Sequence, residues 1–208
     1  EAFNIYTDEV QRGVRPANGD LKIENGRVQV TGALGVMEIN SILTQMMFEH
    51  DRARHAFYVE ESYPIKWMYP YLSPHGLIMK INPDYAPYSP ETAEKDRDFW
   101  DWYSKRLLED PMYVRDFAAQ KSFSKLRTAI AGLYASQSRR VDAANAYREA
   151  VLLYPASPEA TFRYISEVLA PSDSLDAIAE LLDHVDLLDP NNNRTENTHR
   201  YIHCRREV

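Results

Sequence analysis

The stretch Val141-Asp142-Ala143 through Leu152-Leu153-Tyr154-Pro155 returns as Leu175-Asp176-Ala177 through Leu187-Leu188-Asp189-Pro190, and the two closing prolines stand 35 residues apart. A unit of this length cannot bury its apolar face alone. It is stabilised by stacking on a like neighbour, which restricts the C-terminal region to helical hairpins packed side by side.

The spacing is close to the roughly 34-residue tetratricopeptide unit. Counting back from Pro155, the first repeat covers 124–157. Ile130, Ala131, Tyr134, Ala143, Tyr147, Ala150 and Pro155 then fall where such repeats take apolar, small, aromatic, small, aromatic, small and proline. Small residues let the two helices of a hairpin approach, with Ala131 expected against Ala143, while aromatics fill the gaps between hairpins. The second repeat is a looser copy: Arg127 and Thr161 stand where an aromatic is usual, and a one-residue excess is placed in the loop 170–173. Helices between 91 and 120 are expected to cover one end of the stack, and the tail from Thr195 the other. Tetratricopeptide arrays bind extended peptides or docking domains on the concave face made by the first helix of each hairpin. By that resemblance Lys125, Thr128, Phe162 and Ser166 face a groove that holds a protein or peptide. The alternative, that these helices simply pack on the N-terminal part, stays open.

Residues 1–83 read as a small α/β unit. Leu21-Lys22-Ile23-Glu24 and Arg27-Val28-Gln29-Val30 alternate around Asn25-Gly26, a dipeptide suited to a two-residue hairpin turn. From 34 to 50, Met37, Ile42, Leu43, Met46 and Met47 recur at helical spacing and predict one buried stripe. Ala56-Phe57-Tyr58-Val59 reads as a strand, the Pro- and aromatic-rich run 63–74 as at most one short helical turn, and Gly76 to Ile81 as another strand. This order resembles the last units of an open α/β sheet. Pro83, Pro87 and Pro90 mark a linker, and 84–123 then carries packing helices. Ser89-Pro90 opens the first, with Phe99, Trp102, Tyr103 and Leu107 as its apolar stripe. Further helices are expected over about 111–120 and 124–135. The fold class is therefore α+β or α/β, a small α/β unit followed by an all-α repeat region at 124–208.

With 208 residues and 44% apolar side chains the chain is long enough to bury a core. A formal charge of −7, with bases scattered among acids, argues against a phosphate-binding face and so against nucleic acid. Cys204 is the only cysteine, which excludes an internal disulfide and a cysteine-rich zinc site. No apolar run approaches the roughly 18 to 20 residues of a membrane span. A start at Glu1 without Met reads as an excised or processed segment.

Phe57-Tyr58-Val59-Glu60-Glu61-Ser62-Tyr63-Pro64, Trp67-Met68-Tyr69-Pro70, Pro74-His75-Gly76-Leu77-Ile78 and Phe123-Ser124-Lys125-Leu126-Arg127 together resemble a known pattern. It is that of the C-terminal soluble region of large bacterial multi-pass membrane proteins of uncharacterised function, similar to protein O-mannosyltransferase-type glycosyltransferases. The resemblance covers roughly 3–190. It implies a place after the last membrane helix on the extracytoplasmic side, a cytoplasmic setting being the alternative, with the membrane-embedded part of the parent protein as a partner. The catalytic acid of such enzymes is expected between early membrane helices that this chain lacks, so the resemblance carries no catalytic residue over.

Local chemistry is sparse. Glu60-Glu61 could form an acid and base pair, but adjacent strand residues point to opposite faces. His75, between Pro74 and Gly76, reads as a proton carrier or a hydrogen-bonding turn residue; His50 and His55 flank a helix end. His199 and His203 stand four apart beside Cys204 without a third ligand at a helpful spacing, so no metal is expected. Phosphate-loop and nucleophile-elbow motifs are absent, and neither a cofactor nor catalysis by this stretch is expected. Trp67, Tyr69, Tyr71, Trp100 and Trp102 could form an aromatic seam that stacks on a sugar or seals two subdomains. Two readings follow: a binding module built on the repeats, and an accessory recognition domain of a membrane glycosyltransferase.

Overall fold

The computed structural model describes residues 1–15, 21–24, 27–30, 32–60 and 65–206. The chain opens with a helix that the pattern above did not include, α1 (Ala2–Gln11), whose Ala2 and Tyr6 lie one turn apart and are both buried. The strands β1 (Leu21–Glu24) and β2 (Arg27–Val30) follow, then helix α2 (Ala33–Asp51). β1 and β2 pair antiparallel with Glu24 opposite Arg27, the register of a two-residue hairpin; Asn25 and Gly26 themselves lie outside the described residues. On α2 the expected single stripe splits. Ile42 is buried and Met46 half-buried against α1, with Ile39 beside them, whereas Met37, Leu43 and Met47 are exposed on the other side of the helix. Three- and four-residue spacings ran through both faces, so periodicity alone could not separate them.

The sheet is antiparallel throughout, which corrects the open α/β reading to α+β. Strands β3 (Phe57–Val59), β4 (Leu72–His75) and β5 (Ile78–Ile81) lie in the order β3-β5-β4. β4 and β5 form a tight hairpin with His75 opposite Ile78 and Gly76 at φ +64°, the positive angle that a primed hairpin turn requires. Pro74 hides this strand from sequence reading, yet it lies on an edge strand, where a missing N–H costs little. Phe57, Leu72, Met79 and Ile81 face one way and join a core that continues to Ile202.

Helix α3 (Pro90–Glu109) is capped by Ser89, whose Oγ accepts from the Thr92 N–H. Its buried stripe is Ala93, Asp96, Trp100 and Ser104. The expected stripe is thus displaced by about one residue, Trp102 being 55% exposed, because the polar Asp96 disguises the buried face. Asp116 divides the next stretch: α4 (Pro111–Arg115) ends before it, and its Oδ1 caps α5 (Phe117–Ser136) by accepting from Ala118 and Ala119 at 3.0 Å each. Two helices are therefore present, as expected from the sequence, but the break falls at Asp116 instead of after 120, so that α4 is short and α5 long.

Next come α6 (Arg140–Leu153) and α7 (Pro158–Tyr164), the latter running on as a π-helical turn (Ile165–Leu169) and a short 3-10 turn (Ala170–Ser172). The chain then closes with α8 (Leu175–Leu188) and α9 (Asn193–Arg206). Ser138 and Asp173, the residues with positive φ at the α5/α6 and α7/α8 turns, are 35 positions apart, as are the starts of α6 and α8 and those of α7 and α9. The stretch that carries the extra residue runs through a π turn, whose i to i+5 bonding admits one more residue, and then the 3-10 turn at Ala170–Ser172.

Arg127 fixes the joint between α3, α5 and α6. Its Nη1 donates to Asp96 Oδ2 at 2.7 Å, its Nε donates to Glu149 Oε2 at 2.5 Å, and its guanidinium lies 5.0 Å from the centre of the buried Trp100 ring. Tyr134 donates to the same Asp96 oxygen at 2.9 Å; burial, then the Asp96 carboxylate, push that phenol far above its ordinary value. Burial likewise raises the Glu149 carboxyl, against the opposing pull of Arg127. Removing one partner of such a group strands the other charges out of water. Arg127→Ala is expected to cost about 3 to 5 kcal/mol, measured as a fall in the urea midpoint at unchanged slope.

Candidate functional site

An open cavity of about 610 Å³ lies between α7 and α9. Both helices begin where local chemistry dictates. Ser157 caps α7, its Oγ accepting from Ala160 N at 3.2 Å ahead of Pro158, and Asn192 Oδ1 accepts from Arg194 N at 3.1 Å at the head of α9. Glu159, Phe162 and Arg163 on α7 and Arg194, Asn197 and Thr198 on α9 line the cavity, and the three pairs are each related by 35 positions. The groove is thus built by corresponding residues of two successive helices.

Its charged groups are Arg163, Arg194 and the Glu159 carboxylate. The Arg194 guanidinium lies 4.9 Å from the Phe162 ring centre and has no carboxylate partner among the described residues. Arg163 is held from behind: its Nε donates to Glu167 Oε1 at 2.9 Å, and Tyr147 donates to the other oxygen of Glu167. Burial raises the Tyr147 phenol, and the hydrogen bond to Glu167 adds to the effect. Tyr69 reaches the same charges from the sheet side, its phenol raised chiefly by burial. Gly132 of α5 gives the guanidinium its room, since a Cβ there would displace Arg163 Nη2.

Of the four residues expected on the groove, Phe162 and Ser166 line this cavity together. Lys125 is half-buried and does not line it, and Thr128 is buried, so it has no access to a ligand. The reason is the sheet: β5 packs on α5, and the Arg163 guanidinium covers Gly132. The face of the first hairpin is closed by the chain itself. Arg194, Asn197 and Thr198 were missed because the tail was read as a cap, although the 35-residue shift past Pro190 would have found them.

The five aromatics divide into separate groups. Trp67 and Tyr71 ring Phe48 at 5.2 and 5.3 Å, Tyr69 turns toward Arg163, and Trp100 and Trp102 flank Tyr103 at 6.4 and 5.8 Å. Trp100 is wholly buried, and one face of Trp102 carries Arg106 at 5.3 Å. His75 packs on Tyr58 with ring centres 5.2 Å apart, Glu60 is exposed, and Glu61 lies outside the described residues. His199 Nε2 lies 2.9 Å from Asp186 Oδ2, and this contact first, then Thr195, holds the Asp186 carboxyl below its ordinary value. No group of three or more His, Cys, Asp or Glu among the described residues is placed to hold a metal.

No family model, curated protein or solved structure matches this chain. Because Arg194 is exposed and makes only a ring contact, Arg194→Ala is expected to change stability by less than about 1 kcal/mol, read from paired denaturation curves.

Proposed function

We infer that this chain is a non-catalytic docking module of tetratricopeptide-like design, which receives an extended segment of a partner protein between α7 and α9. One observation carries the reading: the residues of α7 and of α9 that line the open groove correspond at the repeat period, as on a binding surface built from first helices. The positive-φ turns at Ser138 and Asp173, in the same phase, support it.

The groove chemistry suits a segment that brings acceptors. Arg194 and Asn197 can donate to backbone carbonyls or side-chain oxygens, while Phe162 offers an apolar floor. The same proposal places the module in a larger membrane-bound parent, with either a separate protein or the parent's membrane part as the occupant. No helix among the described residues is long and apolar enough to cross a membrane.

A random display library of extended peptides panned on the whole chain tests the reading. Enriched peptides are expected to lose about tenfold or more in affinity on Ser166→Trp, which fills the groove from an exposed position, with the melting temperature unchanged. Enriched peptides indifferent to that substitution, or no enrichment at all, would overturn it.

A further inference from the structure

The second helices of the two hairpins, α6 and α8, leave a separate groove. Val141, Ala144, Asn145 and Arg148 run down one face of α6, and Ala177, Leu181, His184 and Leu187 run down one face of α8. One cavity of about 520 Å³ lies between Arg148 of α6 and the α8 face, and a second of about 250 Å³ lies between α6 and the stretch 168–174; both are lined by Arg148 and Tyr164, so they join as one trough. Tyr164 and Val168 make its floor. They are offset by two residues from Phe162 and Ser166, which puts this trough on the opposite side of the α7 segment from the groove described above.

Two features of the trough lack a partner. Its apolar edges are uncovered, Val141 being 73% and Leu187 81% exposed, and Leu152 and Leu188 continue the exposed edge. Its charges are also unmet. Arg140 and Arg148 stand on the α6 wall, Glu180 and Asp183 on the α8 wall, and none of the four forms an ion pair among the described residues. Arg148 donates only to Asn145 Oδ1, at 2.8 Å, on its own helix. Arg148 therefore faces Glu180 and Asp183 across the larger cavity without neutralising them, and Arg140 stands over the smaller one.

We propose that this trough docks an amphipathic helix of a partner protein, with carboxylates along α6, ammonium or guanidinium groups along α8, and an apolar stripe on Tyr164 and Leu181. A helix fits because the walls are themselves helices, whose ridges and grooves accept another helix. An extended segment would lay backbone amides on an apolar floor that offers few acceptors. A second copy of this chain does not fit as well. Its α2 has an exposed apolar stripe, Val36, Leu43 and Met47, but 33–51 holds no Lys or Arg to meet Glu180 and Asp183.

The test uses three labelled helical peptides that share one leucine stripe and differ in their flanks: glutamate on one and lysine on the other, glutamate on both, or lysine on both. Fluorescence anisotropy against the whole chain is expected to rank the mixed peptide first by about tenfold, and Leu187→Lys should weaken it by about as much. The double variant Arg140→Glu with Arg148→Glu makes both walls acidic, so its preference should move to the all-lysine peptide, while far-UV circular dichroism stays unchanged. Glu180→Lys with Asp183→Lys should move the preference to the all-glutamate peptide. Absence of binding, equal binding of all three peptides, or a preference order unmoved by the charge reversals would overturn the proposal. Self-association of the chain that Leu187→Lys abolishes would also overturn it, by giving the trough to a second copy.

Discussion

A guanidinium with 2% of its side chain exposed stands where α3, α5 and α6 meet, and the relative placement of these three helices follows from how its charge is met. Arg127 could not lie there alone, because a bare cation out of water is too costly; Asp96 and Glu149 neutralise it, and Tyr134 shares the Asp96 oxygen. These partners come from three helices, so the helices are held in one relative position rather than in any of several that would bury similar apolar area. Because α3 also packs on β4, the same joint sets where the sheet lies on the hairpins.

The repeat pattern asks for an aromatic at the Arg127 position, and the structure shows how the departure is made good. The ring is supplied from outside the repeat, by Trp100 of α3, and Arg127 lies on its face. Helix α3 therefore supplies both the ring and the carboxylate that Arg127 meets. The signal was in the sequence, as an arginine at a buried helical position together with an Asp96/Trp100 pair one turn apart. Without the third dimension nothing tied the two together.

Other parts were legible to different degrees, for physical reasons. Ala143, Tyr147 and Ala150 are fully buried, as small and aromatic residues at helical spacing imply. The sheet was misread because Pro74 breaks the strand pattern only for a central strand, and the direction of pairing is a tertiary property that β-propensity does not encode. The α3 stripe was misplaced by one residue because its buried face includes the charged Asp96. The one-residue excess of the second hairpin was visible as a count, but whether a loop or a helix absorbs it depends on local hydrogen bonding.

The same packing decides which surfaces stay open. Arg163 lies over Gly132, and β5 packs on α5, so the first hairpin spends its inner face on the chain's own sheet. The second hairpin has no such cover, and its inner face meets only α9, across the cavity lined by Phe162 and Arg194. On the outer side, α6 and α8 are joined through the segment 158–169; the Arg163–Glu167 ion pair lies within that segment, and Tyr147 of α6 donates to the same Glu167. A single stretch, α7 with its π turn, therefore forms a wall of one groove and the floor of the other. A ligand that repositions Arg163 would be felt through Glu167, inside the π turn and next to Val168 on the trough floor. Any coupling between the two surfaces has to run through those few residues, since no other element lines both.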